Sequence, residues 1–199
     1  MLIASNFLLW VVVALLTVAV LALARQIGVL HERIAPMGAL VTDQGPVAGD
    51  MAPHVHATTI DGRSLAIGPG HMGTRSTLLL FVAPSCPICK KIIPLAKNVA
   101  ASDDLDLIFI GDGDEAEQRA MIDRYKIADY PFANSPQVGL AFHVGKLPHA
   151  VLIRPDGVIA AKGLVNSREH LESLVVSRDS GFKSAQAFIR SIQEPIAAE

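Results

Sequence analysis

Residues Phe7 to Ala24 read FLLWVVVALLTVAVLALA, an unbroken apolar run in which Thr17 is the only polar side chain. Such a run has no polar face to turn to water, so it does not suit the amphipathic surface helix of a globular domain. Coiled as a helix it spans roughly 27 Å, close to the hydrocarbon thickness of a bilayer. Trp10 near one end suits an interface, and Arg25 closes the run. A cleaved signal peptide is the competing reading, because Ala22-Leu23-Ala24 resembles a cleavage site. Against it, residues 1–6 (MLIASN) carry no basic side chain, and the run exceeds the usual signal core of roughly 7–15 residues. We therefore expect an N-terminal flank over residues 1–6 and a retained single-pass anchor over residues 7–24.

Orientation is less constrained. Arg25 and Arg33 follow the segment, and by themselves they favour a cytoplasmic C-terminal part. Two charges are a small bias, and long domains translocate largely regardless of it.

Beyond the anchor the chain has the composition of a folded α/β domain. Over all 199 residues, anchor included, hydrophobic residues make up 51% and charged residues 18%, which excludes a disordered or coiled-coil chain. Net charge is −2 and no basic cluster exceeds Lys90-Lys91, which argues against nucleic acid as a partner. Residues 25–35 continue with helical spacing until Pro36, and a Gly/Pro/Ala-rich linker follows, so 25–48 reads as juxtamembrane helix and linker. Val55 to Ile60 alternates weakly before the Asp61-Gly62 turn. The runs Leu78–Val82 and Leu105–Ile110 read as strands buried on both faces. Asp114 with Glu117 starts a helix to about Lys126, and Pro155-Asp156-Gly157 turns a hairpin between strands 149–153 and 158–162. A helix over 167–176 closes the expected domain, residues 49–177, and residues 178–199 read as a helical extension. That order mixes parallel crossovers with antiparallel strands.

The chain has two cysteines, Cys86 and Cys89, in the motif Cys-Pro-Ile-Cys. The segment after them is helical in pattern, which puts Cys86 at a helix N-terminus and Pro87 at the first helical position, where a missing N–H costs nothing. A thiolate at Cys86 is stabilised there by the helix's unpaired N–H groups and dipole. Cys89 lies one turn deeper on the same face, placed to resolve a mixed disulfide formed on Cys86. Two other uses stay open: a passive structural disulfide, and half of a metal site. Zinc needs two more ligands; His54 and His56, at strand spacing, could face one way, but they read as surface histidines on a strand edge. Asp112-Gly113-Asp114-Glu115 lacks the twelve-residue calcium-loop pattern and reads as a loop and helix cap.

With a strand at Leu78–Val82, then Cys86-Pro87-Ile88-Cys89, Lys90 and Pro94, and with Leu147-Pro148 ahead of the strand at His149, the chain resembles the thioredoxin superfamily. Gly49-Asp50-Met51-Ala52-Pro53 and Asp61-Gly62 resemble the opening of its membrane-tethered, extracytoplasmic branch. The resemblance implies a thioredoxin-like α/β fold after one transmembrane helix, and thiol–disulfide exchange by Cys86 and Cys89. It implies no cofactor beyond that redox-active disulfide and no metal. Pro87, Ile88, Pro94 and a cis Pro148 would shape the site. Two positions depart from the pattern: Leu80 stands where the family has a buried acid, and Ser85 where it has tryptophan. Ser85 and His149 are the candidates for tuning Cys86. A peroxiredoxin is disfavoured, since Ala83 stands where that family needs Thr or Ser.

Residues 25–36 (RQIGVLHERIAP), with Gly38-Ala39-Leu40 behind them, resemble a narrower family, the methylamine-utilisation accessory proteins. That resemblance implies a role in maturing methylamine dehydrogenase, a periplasmic quinoprotein, with its disulfide-rich small subunit as the partner. The expectation is an inner-membrane protein whose domain faces the periplasm, where disulfides form, with a membrane redox partner for the cysteines. The rival expectations are a chaperone of the same fold without redox turnover, and a metallochaperone using Cys86, Cys89 and a histidine.

Overall fold

In the computed structural model, residues 2–33 and 45–180 are described, in two compact units, Met1–Thr42 and Asp43–Glu199. Residues 34–44 of the expected linker, and residues 181–199 of the expected extension, lie outside the described residues.

The described residues of the first unit form one helix, α1 (Leu2–Arg33). Its described side chains are all exposed, and the Thr17 hydroxyl donates to the Val13 carbonyl at 2.8 Å, so the one polar group of the run is satisfied within the helix. Among the described residues no helix is long and apolar enough to cross a membrane. The side chains of residues 22–24, which complete the apolar run, are outside the described set.

The second unit is built on a five-stranded sheet. Its strands are β3 (Thr77–Phe81), β4 (Asp106–Gly111), β5 (Phe132–Asn134), β6 (His149–Ile153) and β7 (Ile159–Leu164), in the order β5-β4-β3-β6-β7. β3 runs parallel to β4 and antiparallel to β6; β4 and β5 are parallel, β6 and β7 antiparallel. A separate hairpin, β1 (Val55–Thr58) with β2 (Ser64–Ile67), precedes it.

The continuous apolar run of β3 follows from its place. As the middle strand it is buried on both faces, and alternate side chains enter two different cores. Leu78 and Leu80 join Leu107, Phe109, Ala150 and Leu152 under α2 (Pro87–Ser102) and α5 (Arg168–Ser180). Leu79 and Phe81 join Ile108, Ile110, Val151 and Ile153 on the other face, with Val138 of α4 (Pro136–Ala141) and Phe142. The helix expected from Asp114 is α3 (Glu115–Tyr125): the Asp114 carboxylate accepts from the Glu117 N–H at 3.0 Å, and Lys126 ends it at φ 53°.

The differences from the sequence reading are local. The segment read as one weak strand at 55–60 contains β1, which ends at Thr58 and pairs with the unexpected strand β2 through a turn closed by Thr59, Asp61 and Arg63. The second hairpin strand is displaced to 159–164, with an irregular register at Leu152/Ile153. β5 and α4 were not expected. α5 reaches Ser180, past the expected end at 176.

Candidate active site at the start of α2

β3 ends at Phe81, and five residues later the chain turns into α2 through Cys86. The Cys86 N–H closes the turn on the Ala83 carbonyl at 3.1 Å. Cys86 is the N-cap, extended at φ −82° and ψ 114°, and its sulfur accepts the Cys89 N–H at 3.3 Å. A cysteine here does what serine or aspartate usually does at a helix start, presenting an acceptor to an unpaired N–H. Pro87 occupies the first helical position, as expected, and Pro94 sits inside α2, where its ring removes the N–H that would pair with the Lys90 carbonyl.

The two cysteines differ sharply in surroundings. Cys86 is half-buried and Cys89 has no exposed surface, and both are free thiols. Cys89 packs in one cluster with Leu80, Val82, Ile92 and Ile93. Burial pushes its thiol up to about 12, the hydrogen bond with the Cys86 sulfur adds to this, and a bond to the Ala83 backbone opposes it. Around Cys86, Ser85, Pro87, Ile88 and Lys90 are exposed.

β6 runs antiparallel to β3 and so begins at the edge of the sheet where β3 ends. The Leu147-Pro148 peptide bond just before it is cis. The Pro148 carbonyl accepts the Val165 N–H at 3.1 Å, which ties this segment to the end of β7. Leu147 and Leu164 are exposed here, and Leu164 is the register partner of His149. His149 lies opposite Phe81, with ring centroids 6.3 Å apart, and therefore on the sheet face away from Cys89.

His54 and His56 share a side, as their spacing suggested, and the structure adds His71: its ring lies 5.9 Å from His54 and 5.7 Å from His56. Among the described residues no group of three His, Cys, Asp or Glu is arranged to hold a metal ion. A residue the sequence reading passed over is Gln118, wholly buried on α3. Its spacing with Met121 and Ile122, also buried, is the signal that could have found it.

A β–α–β crossover joined to an antiparallel hairpin, with both cysteines at the start of the crossover helix, makes this a thioredoxin-like α/β protein. Solved structures agree on the fold. A putative thiol:disulfide interchange protein DsbE from Chlorobium tepidum matches with a TM-score of 0.58 at 17% identity, over 67% of this chain and 99% of that one. The thioredoxin domain of a thiol-disulfide oxidoreductase from Bacteroides vulgatus matches at 0.54 and 21% identity, over 65% and 98%. No family model matches the chain. Whole-chain relatives do. The methylamine utilization protein MauD of Paracoccus denitrificans is 43% identical over 98% of both chains. That of Methylorubrum extorquens is 46% identical over 96% of this chain and 93% of its own. The chain belongs to the MauD family.

Proposed function

We propose that this protein is a membrane-anchored thiol–disulfide oxidoreductase of methylamine utilisation, which matures methylamine dehydrogenase with that enzyme's small subunit as client. The observation that carries the reading is the asymmetry of the cysteine pair. Cys86 is reachable and receives the Cys89 N–H on its sulfur, whereas Cys89 is enclosed one turn below. Exchange chemistry needs this division into an outer sulfur that forms the mixed disulfide and an inner one that resolves it. Pro87 and Pro94 shape α2, while exposed Ile88 in the Cys86 turn and exposed Leu147 and Leu164 by Pro148 would offer apolar surface to an extended client segment.

The names of the relatives support the link to methylamine utilisation. The run Phe7–Ala24, helical within α1, supports an inner-membrane anchor. A periplasmic domain follows from the chemistry, because cytosolic thiols are held reduced. A membrane redox partner would then return the pair to its working state.

The test is a trap. Cys89→Ser keeps the nucleophile and removes the resolving thiol, so a mixed disulfide between Cys86 and the small subunit should accumulate in cells induced on methylamine. Normal growth on methylamine with both cysteines replaced by alanine would overturn the redox reading and leave a thioredoxin-fold chaperone.

A further inference from the structure

Gln118 has no exposed surface, and neither its amide nitrogen nor its amide oxygen has a hydrogen-bond partner among the described residues. Its side chain lies against Gly111, the last residue of β4. A Cβ at Gly111 would stand 2.8 Å from the Gln118 Cδ, Nε2 and Oε1 atoms, so only glycine leaves room for the amide. Asn134 is the register partner of Gly111 across β4 and β5. Its Nδ2 donates to the Gly113 carbonyl at 2.8 Å, and its buried Oδ1 has no partner among the described residues. Three unpaired polar atoms thus flank one glycine. Buried polar atoms are rarely left so, and a buried water making about three hydrogen bonds is the usual solution. Here it would accept from Gln118 Nε2 and donate to Gln118 Oε1 and Asn134 Oδ1.

The niche is linked to the cysteines through Val82 and the end of β3. The Val82 N–H donates to the Ile110 carbonyl at 2.9 Å, which sets Val82 beside Gly111. Val82 shares a buried cluster with Cys89, and Ala83 contributes the backbone bond to the Cys89 sulfur. Pro84 and Lys90 line one cleft with Glu117 and Met121, the neighbours of Gln118 on α3.

We propose that Gln118 is a positioning residue whose buried amide holds a water that takes the proton from the Cys89 thiol. The proposal rests on the oxidoreductase reading above. Before Cys89 can resolve a mixed disulfide it must lose a proton, and Leu80 and Val82 offer no base. The ionisable side chains of α2 (Lys90, Lys91, Lys97) and of α3 with its approach (Asp112, Asp114, Glu115, Glu117, Arg119, Asp123, Arg124, Tyr125) are exposed, apart from half-buried Lys97 and Tyr125. Cys86 is the sulfur that Cys89 must attack, and His149 lies on the Phe81 face. α5 presents Leu171, Leu174 and Val175 to the cluster. In the step, the Cys89 proton passes to the water and on to solvent. The Cys89 thiolate forms a bond to the Cys86 sulfur, the Cys86–client bond breaks, and the electron pair leaves on the client sulfur as a thiolate.

The reduced full-length protein in detergent can be mixed with dithionitrobenzoate and followed by stopped flow. The first thiolate released reports attack by Cys86, and the second reports expulsion by Cys89. Gln118→Leu should slow the second phase by about tenfold or more near neutral pH and leave the first within about twofold. Gln118→Glu, which keeps size and supplies a base, should shift the pH profile of the second phase downward. An unchanged second phase in Gln118→Leu across roughly pH 6 to 10 would overturn the proposal. Should Gln118→Leu fail to fold, a Gln118→Glu profile superimposable on wild type overturns it equally. If the wild type releases no second thiolate, the oxidoreductase reading itself fails, an outcome distinct from a normal wild type with an indifferent Gln118.

Discussion

Leu80 on β3 and Cys89 on α2 lie in one apolar cluster, and neither has any exposed surface. The strand therefore offers the thiol no charge at this position, and burial holds Cys89 up at about 12 against an ordinary 9.0. The pH dependence of stability follows. Below the ordinary value, folded and unfolded chains both keep the Cys89 proton, and stability is fully present. As pH rises from there towards about 12, the unfolded chain ionises and the folded one does not, so the reduced protein loses stability. Urea midpoints of reduced wild type should fall more steeply above roughly pH 9 than those of Cys89→Ala. Parallel curves would show that Cys89 is not held neutral by the fold.

Reaction with an alkylating reagent should be ordered. Cys86 is half-buried at the helix start and Cys89 is enclosed. Under native conditions a charged iodoacetate-type probe should modify Cys86 first, and Cys89 should react only after denaturant is added. Peptide mapping that found Cys89 labelled first would reverse the two roles.

Gly111 and Gln118 should be energetically coupled. A methyl group at Gly111 collides with the Gln118 amide, so Gly111→Ala should cost about 1–3 kcal/mol through overpacking. Shortening the partner removes the collision: in a Gln118→Ala background the same substitution should cost clearly less. Additive losses in the double-mutant cycle would place the Gln118 side chain elsewhere.

How much of this was readable beforehand depends on the range of the interactions. The middle strands were legible because β3 and β4 are buried on both faces, so their runs are apolar without interruption. The turn into α2 was legible because Cys86, Pro87 and the helix they start are contiguous. β5 has three residues and α4 has six, too short for either periodicity to register, and their positions come from pairing with β4 and packing on Phe81. The niche around Gly111 joins residues of β4, α3 and β5, and no local pattern announces it. His71 likewise meets His54 and His56 only through the chain's return after β2.

The Arg75 contacts offer a contrast with the core. Its guanidinium meets Asp104 at 2.9 Å and also reaches Asp106, but the arginine side chain is 50% exposed and Asp104 78% exposed. Solvent screens such pairs, so Arg75→Ala should change stability by less than about 1 kcal/mol. Leu80→Ala, which opens a cavity beneath α2, should cost about 2–5 kcal/mol. Chemical denaturation of both variants compares them directly, and a larger loss from Arg75→Ala would mean that the ion pairs support the β3–β4 entry more than their exposure allows.

The membrane arrangement gives the final prediction. Arg25 and Arg33, beyond the apolar run, pull towards a cytoplasmic domain, while the exchange chemistry of Cys86 and Cys89 is of use where disulfides persist. If the second consideration decides, alkaline phosphatase fused after Glu199 should be active in a bacterial host, and the fusion should fractionate with membranes. The anchor itself can be probed in the same fusion. A charged residue at the helix centre raises the insertion cost by about 2.5–3.5 kcal/mol, so Leu15→Arg should reduce membrane retention, whereas Leu15→Ile should not. An active cytoplasmic reporter at the same junction would put the cysteines on the reducing side and remove the periplasmic reading. An active phosphatase recovered as soluble protein, lacking residues 1–24, would instead identify Ala22-Leu23-Ala24 as a cleavage site. The exchange chemistry would then stand without the anchor.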